Sequence, residues 1–131
     1  MTKNILFIFG TRPEAIKLAP LIMALKKNKL FNISICISSQ HIELLNQVLE
    51  FFNIKPDYNL NIMTEKQTLF DITTKCLTQF ETIFNKSKPE LIIVQGDTTT
   101  AFTGALAGFY AKIPVAHIEA GLRTFDRNNP F

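Results

Sequence analysis

The chain has 131 residues, 47% apolar and 19% charged, which excludes a disordered polypeptide and allows one domain with a buried core. Its net charge of +3 is scattered apart from "KKNK" at 26–29, with no basic stripe interleaved with aromatics, so no nucleic-acid partner is expected. No stretch nears the ~20 apolar residues of a membrane helix, and the apolar run at 5–9 is too short for a signal-peptide core; a cytoplasmic protein without a membrane partner is expected.

In chain order, "NILFIF" (4–9) reads as a strand. "PEAIKLAPLIMALKKN" (13–28) has helical spacing, with Ile16, Ala19 and Met23 on one stripe and Ile22 beside them. Pro13 suits a first helical turn, whose N–H groups have no partner anyway. Pro20 removes a hydrogen bond and should kink or restart the helix. The basic "KKNK" suits the negative end of the helix dipole. "NISICIS" (32–38) alternates like a strand, and "IELLNQVLEFFNI" (42–54) is an amphipathic helix with Leu45, Val48, Leu49 and Phe52 on one stripe. "TLFDITTKCLTQFETIFNKS" (68–87) repeats that pattern over a longer span.

"ELIIVQ" (90–95) is an apolar strand, "TTAFTGALAGFYAK" (99–112) a helix rich in small residues, and "PVAHIEA" (114–120) a last strand. Gly104 and Gly108 point to a helix lying close against its neighbour. Cys36 and Cys76 fall inside apolar periodic segments, as buried thiols do; neither a disulfide framework nor a metal or other cofactor is expected. Strands and helices alternate, and the strands are nearly all apolar. That pattern predicts an α/β, Rossmann-like parallel sheet with helices on both faces, burying Ile5, Phe7, Ile35, Ile92, Ile93 and Val115.

Ligands of open parallel sheets gather beyond the carboxyl ends of the strands. Here those ends carry "FGTRPE", "VQGDTTT" and "HIEAGLRT", with a milder "SSQH". The first lacks the glycine spacing of a dinucleotide turn and the Lys-Ser/Thr ending of a P-loop. Arg12 nevertheless stands at a helix mouth, where free N–H groups and a guanidinium suit an anion such as a diphosphate, and Lys17 lies one turn on. The plainer alternative is a surface Arg12, with Glu14 and Lys17 forming an i,i+3 pair. Asp97 follows an apolar strand and a glycine; it is either a helix N-cap or an exposed functional carboxylate. Glu119 ends another strand, with His117 two residues earlier and thus on the same face. It is a candidate for a raised pKa and proton transfer, or else for a structural salt bridge with Arg123.

"FGTRPEAIKLAPLI", "SSQHIELLNQVLEFFNIKPDYNLNIM", "VQGDTTTAF" and "AHIEAGLRTFDRNNPF" together resemble the front of the non-hydrolysing UDP-N-acetylglucosamine 2-epimerases, in order and from end to end. The resemblance implies two Rossmann-like domains in a glycosyltransferase-B-like arrangement, of which residues 1–131 are the N-terminal one. It implies anti-elimination of UDP to 2-acetamidoglucal and re-addition with inversion at C2. The product would be UDP-N-acetylmannosamine, a precursor of surface polysaccharides. By motif, Arg12 and Lys17 would contact the substrate near its diphosphate, and Asp97 and Glu119 would be catalytic carboxylates, with either able to take either step.

Gln40, His41 and Gln67 match positions where bacterial members bind a second UDP-N-acetylglucosamine as activator. Glu43 stands there in place of a frequent Gln, and Lys66 in place of a frequent Arg, which loses the bidentate fork. The family motif runs on from "NNPF" to "PEE", with a further catalytic glutamate. A second domain would supply the uridine pocket and a catalytic histidine, and the complete protein is expected to be a homodimer. The chain is thus a fragment or a naturally short relative. The hydrolysing epimerases and the diacetamido-uronate epimerases are neighbouring alternatives; "GTRPEAIK" argues against the first and "GLRTFDRNNPF" against the second. A non-catalytic binding module on the same fold is a third.

Overall fold

The structure, a computed structural model, describes residues 1–38, 42–62, 64 and 66–129, with Ile42 described in its backbone only. Nine elements follow one another: β1 (Lys3–Phe9), α1 (Arg12–Lys26), β2 (Phe31–Ile37), α2 (Ile42–Phe51), β3 (Tyr58–Asn59), α3 (Leu69–Ser87), β4 (Leu91–Gln95), α4 (Thr99–Tyr110) and β5 (Val115–Ile118). The strands form one sheet in the order β3-β2-β1-β4-β5, every pair parallel.

The apolar character of β1 has a direct cause, because both its faces are covered. Ile5, Phe7 and Phe9 face the core under α1 and α2, while Leu6 and Ile8 face the core under α3 and α4. Cys36 and Cys76 are buried free thiols in the second core, and burial pushes both thiol pKa values up. Ile5, Phe7, Ile35, Ile92 and Ile93 are buried as expected. Each such aliphatic or aromatic side chain stabilises the fold by roughly 1.5–3 kcal/mol. Val115 is only half-buried, because β5 is an edge strand paired on one side.

One expectation for α1 fails and a second is narrowed. Its buried residues are Glu14, Ala15, Leu18, Ala19 and Ile22, whereas Ile16 and Met23 are exposed. Apolar residues occur on both sides of this helix, so spacing alone does not choose the stripe; packing on β1 and β2 does. The helix also runs through Pro20 without restarting, with Pro20 on its exposed side. In α4 the small residues do what their size suggests. A Cβ on Gly108 would lie 2.7 Å from Val115 Cγ2, and one on Gly104 would lie 3.2 Å from Val94 Cγ1. The two-residue β3 was not visible as a strand in "KPDYN"; it is held where Asp57 accepts from Ile35 N–H through Oδ2 at 2.8 Å.

Helices α1 and α2 lie on one face and α3 and α4 on the other. The chain therefore turns to the left of β1 and later to the right of β4. The carboxyl ends of these two neighbouring strands form the fork at which open sheets of this kind take their ligands.

Candidate active site at the carboxyl edge of the sheet

Two loops meet at the fork. The first, after β1, holds Gly10 and Thr11 and leads into Arg12; the second, after β4, holds Gly96, Asp97 and Thr98. They approach closely because Gly10 has no side chain. A Cβ there would sit 1.8 Å from Ser38 Oγ and 3.0 Å from Thr100 Oγ1. Ser38 and Thr100, both fully buried, share a hydrogen bond of 2.7 Å behind that glycine. Gly10 is thus required by close packing of three loops.

Arg12 is the first residue of α1 and is exposed. Its guanidinium stands at the positive end of the helix dipole, where an anion is favoured. Asp97 is exposed in the facing loop, and its carboxylate makes no hydrogen bond among the described residues. It does not cap α4. That role belongs to Thr98, whose hydroxyl accepts from Ala101 N–H at 3.1 Å.

Lys17 and Glu119 come together across the edge. Lys17 Nζ donates to Glu119 Oε2 at 2.5 Å, and Gln95 Nε2 donates to the same oxygen at 2.5 Å. The expected partner Arg123 is not involved; its guanidinium donates to the Leu122 carbonyl. The expected rise in the Glu119 pKa is also reversed. The hydrogen bond from Lys17 holds this carboxyl below its ordinary value, with the ammonium charge and Gln95 acting in the same direction. Nor does Glu119 share a face with His117. Strand β5 ends at Ile118, and Glu119 takes a left-handed φ of 57°. That turn sends the carboxylate towards α1, while His117 Nε2 donates to the Gly96 carbonyl at 2.6 Å. The Glu14–Lys17 pair does not form, since Lys17 is engaged with Glu119 and Glu14 is buried.

Sequence reasoning passed over Glu14, Gln95 and Thr98. One signal was available: Thr11 followed three residues later by Glu14 is the sequence signature of a capping box. For Gln95, a polar residue closing an apolar strand was the only hint.

The other candidate positions lie further along the edge. Glu43 is exposed in the first turn of α2. Lys66 is exposed, with a left-handed φ of 58°, just before α3. Gln67 Oε1 accepts from Thr64 N–H at 2.7 Å and from the Thr64 hydroxyl at 2.9 Å, while its Nε2 is buried without a partner among the described residues. Gln40 and His41 lie outside the described residues. Among the described residues, no group of three His, Cys, Asp or Glu side chains could hold a metal ion, and no helix is long and apolar enough to cross a membrane. A groove of about 490 Å³ lies elsewhere, between α3 and α4, lined by Leu77, Phe84 and Tyr110 among others.

Residues 23–131 match the family model described as UDP-N-acetylglucosamine 2-epimerase. The UDP-N-acetylglucosamine 2-epimerase of Campylobacter jejuni is 52% identical over 131 residues, all of this chain and 34% of that relative. The crystal structure of the Neisseria meningitidis UDP-GlcNAc 2-epimerase bound to UDP-GlcNAc is 50% identical, with a TM-score of 0.91, and is matched over 98% of this chain and 35% of that one. A kitacinnamycin glycotransferase, only 11% identical but with a TM-score of 0.68 over 94% of this chain and 31% of that one, shares the fold. The chain thus spans about a third of the length of the relatives it matches. Matched over most of its length, with a doubly wound sheet and charges gathered at its fork, the chain belongs to the UDP-N-acetylglucosamine 2-epimerase family.

Proposed function

We propose that residues 1–131 form the N-terminal Rossmann-like domain of a cytoplasmic UDP-N-acetylglucosamine 2-epimerase. The complete enzyme interconverts that nucleotide sugar and UDP-N-acetylmannosamine for surface polysaccharide synthesis. One observation carries the reading: two cations and two carboxylates, Arg12, Lys17, Asp97 and Glu119, stand on the loops after β1, β4 and β5, and within α1, at the fork of the sheet. The bound UDP-GlcNAc of the Neisseria relative supports the substrate class.

The chemistry needs both signs of charge. Breaking the C1–oxygen bond leaves negative charge on a diphosphate, which Arg12 at the mouth of α1 is placed to stabilise. The proton at C2 must leave for a base and return from an acid on the other face. Glu119, held ionised by Lys17 and Gln95, suits the acceptor role. A diphosphate that drew Lys17 away would leave Glu119 with Gln95 alone and raise its affinity for a proton. Asp97, free of the capping duty, is the second carboxylate.

These residues make one open wall, since Arg12, Lys17, Asp97 and Glu119 are all exposed. Sugar nucleotides need most of their surface enclosed. A second domain carrying the uridine pocket closes the cleft. The complete protein is a homodimer with a second UDP-N-acetylglucosamine as activator near Gln40, His41, Glu43, Lys66 and Gln67. Glu43 and Lys66 are exposed towards the β2 and β3 end of the edge, which leaves them accessible to it.

The test is a chain of the relatives' full length incubated with UDP-N-acetylglucosamine in D₂O. The C2 epimer should form with deuterium at C2. Arg12→Ala should lower kcat/KM at least ~10-fold, the worth of a charge-assisted hydrogen bond. Asp97→Asn and Glu119→Gln should each lower kcat at least ~10²-fold. Absence of the epimer, or normal turnover in both carboxylate variants, overturns the assignment. The isolated 131-residue chain should show neither turnover nor micromolar binding by calorimetry.

A further inference from the structure

Glu14 is not among the charges that face a substrate. It is 1% exposed, yet its carboxylate takes four hydrogen bonds. Oε2 accepts from Gly10 N–H at 2.9 Å, from Thr11 N–H at 2.7 Å and from the Thr11 hydroxyl at 2.8 Å. Oε1 accepts from the Thr98 hydroxyl at 2.7 Å, 84 residues away in sequence. Thr11 adjoins Arg12, and Thr98 adjoins Asp97.

We propose that Glu14 is a positioning residue: its buried carboxylate clasps the loops after β1 and β4 and so fixes where Arg12 and Asp97 stand relative to each other. The chemical consequence rests on the epimerase reading above; the clasp rests on geometry alone.

Helix capping does not account for this arrangement. Asp71 makes the same local contacts at the start of α3, accepting from Thr68 N–H at 2.9 Å and the Thr68 hydroxyl at 2.7 Å, and it does so while exposed. Glu14 differs in being buried and in reaching a second loop. The Thr98 hydroxyl gives its single proton to Glu14 and accepts from Ala101 N–H. One carboxylate thereby joins the N-termini of α1 and α4. The buried Ser38–Thr100 bond ties the end of β2 to the same helix. Hydrogen bonds to an ionised acceptor are the strong ones, and a misplacement of about 1 Å between reacting groups costs ~10²-fold in rate.

The decisive experiment compares four variants of a full-length chain: Glu14→Gln, Thr98→Val, the double variant and Thr98→Ser. Gln keeps the size of Glu14 but removes its charge and one of its two accepting oxygens. With each protein folded by circular dichroism, Glu14→Gln, Thr98→Val and the double variant should each lose about 10–100-fold in kcat/KM. The double variant should lose no more than Glu14→Gln alone, and Thr98→Ser should restore near-parental activity. Unchanged kcat/KM per folded molecule, or single losses that multiply in the double variant, would overturn the clasp. Should Glu14→Gln not fold, Thr98→Val against Thr98→Ser decides. Should the parent itself not epimerise, the functional reading fails, and hydrogen exchange on the 131-residue chain decides the clasp separately. Thr98→Val should speed exchange of the Gly10 and Thr11 amides at least ~10-fold relative to Phe7 and Ile8, and equal rates would overturn it.

Discussion

Glu14 and Glu119 carry the same side chain at the same edge of one sheet, and the structure gives them opposite surroundings. Glu14 is 1% exposed and takes four donors from two loops. Glu119 has a side chain 36% exposed, held by one lysine and one glutamine. The difference arises from where each backbone leaves its strand. Glu14 lies on the first turn of α1 and points back under the loops, whereas Glu119 follows the left-handed end of β5 and points across the rim. The carboxylate proposed to organise and the one proposed to react thus differ in burial and in the number of fixed donors.

The largest way to break this comparison removes the sheet that carries both residues. Ile93→Asp places an unpaired charge at a core position that is 4% exposed, and the 131-residue chain should not fold. Unchanged far-ultraviolet circular dichroism in a soluble variant would contradict the strand register. Next, Glu14→Ala leaves two backbone N–H groups and two hydroxyls without their acceptor. It should cost about 3 kcal/mol in denaturant unfolding, and a loss below that of an ordinary surface substitution would make the clasp energetically idle.

Gly10→Ala should cost about 1–3 kcal/mol through overpacking against Ser38. The sharper version adds Ser38→Ala, which removes the nearest obstructing atom; the pair should be less destabilised than the sum of the single changes. Thr98→Ala should lose about 1 kcal/mol as an N-cap, while Asp97→Ala should leave the melting temperature unchanged. Reversal of that order would return the cap to Asp97.

The smallest effect concerns Glu119. Its folded pKa is lowered by Lys17, so the pair contributes above the ordinary carboxyl value of about 4.3 and is lost as pH falls through the depressed one. Any melting-temperature difference between parent and Glu119→Gln at pH 7 should close in acid. A difference that grew on acidification would contradict the direction of the shift.

Much of the fold was legible because buried parallel strands must be apolar on both faces and crossover helices must separate them. That requirement marks β1 and β4 and places Phe7, Ile92 and Ile93 in the core. The ends of the apolar strands likewise pointed to Arg12, Asp97 and Glu119. The stripe of α1 was misread because its apolar residues do not favour one side, and β3 was missed because two residues carry no period.

The sequence by itself determined the alternation of strands and helices, the gathering of charged residues at strand ends, and the family. The first two follow from local composition and spacing, and the family from the resemblance carried by the motifs. Only the tertiary structure decided that Thr98 rather than Asp97 caps α4, that Lys17 serves Glu119 rather than Glu14, and that Glu14 is buried at all. The physical reason is the range of the interactions. Glu14 meets Thr98 across 84 residues and Lys17 meets Glu119 across 102, and no local pattern reports a hydrogen bond made possible by two loops closing over a glycine.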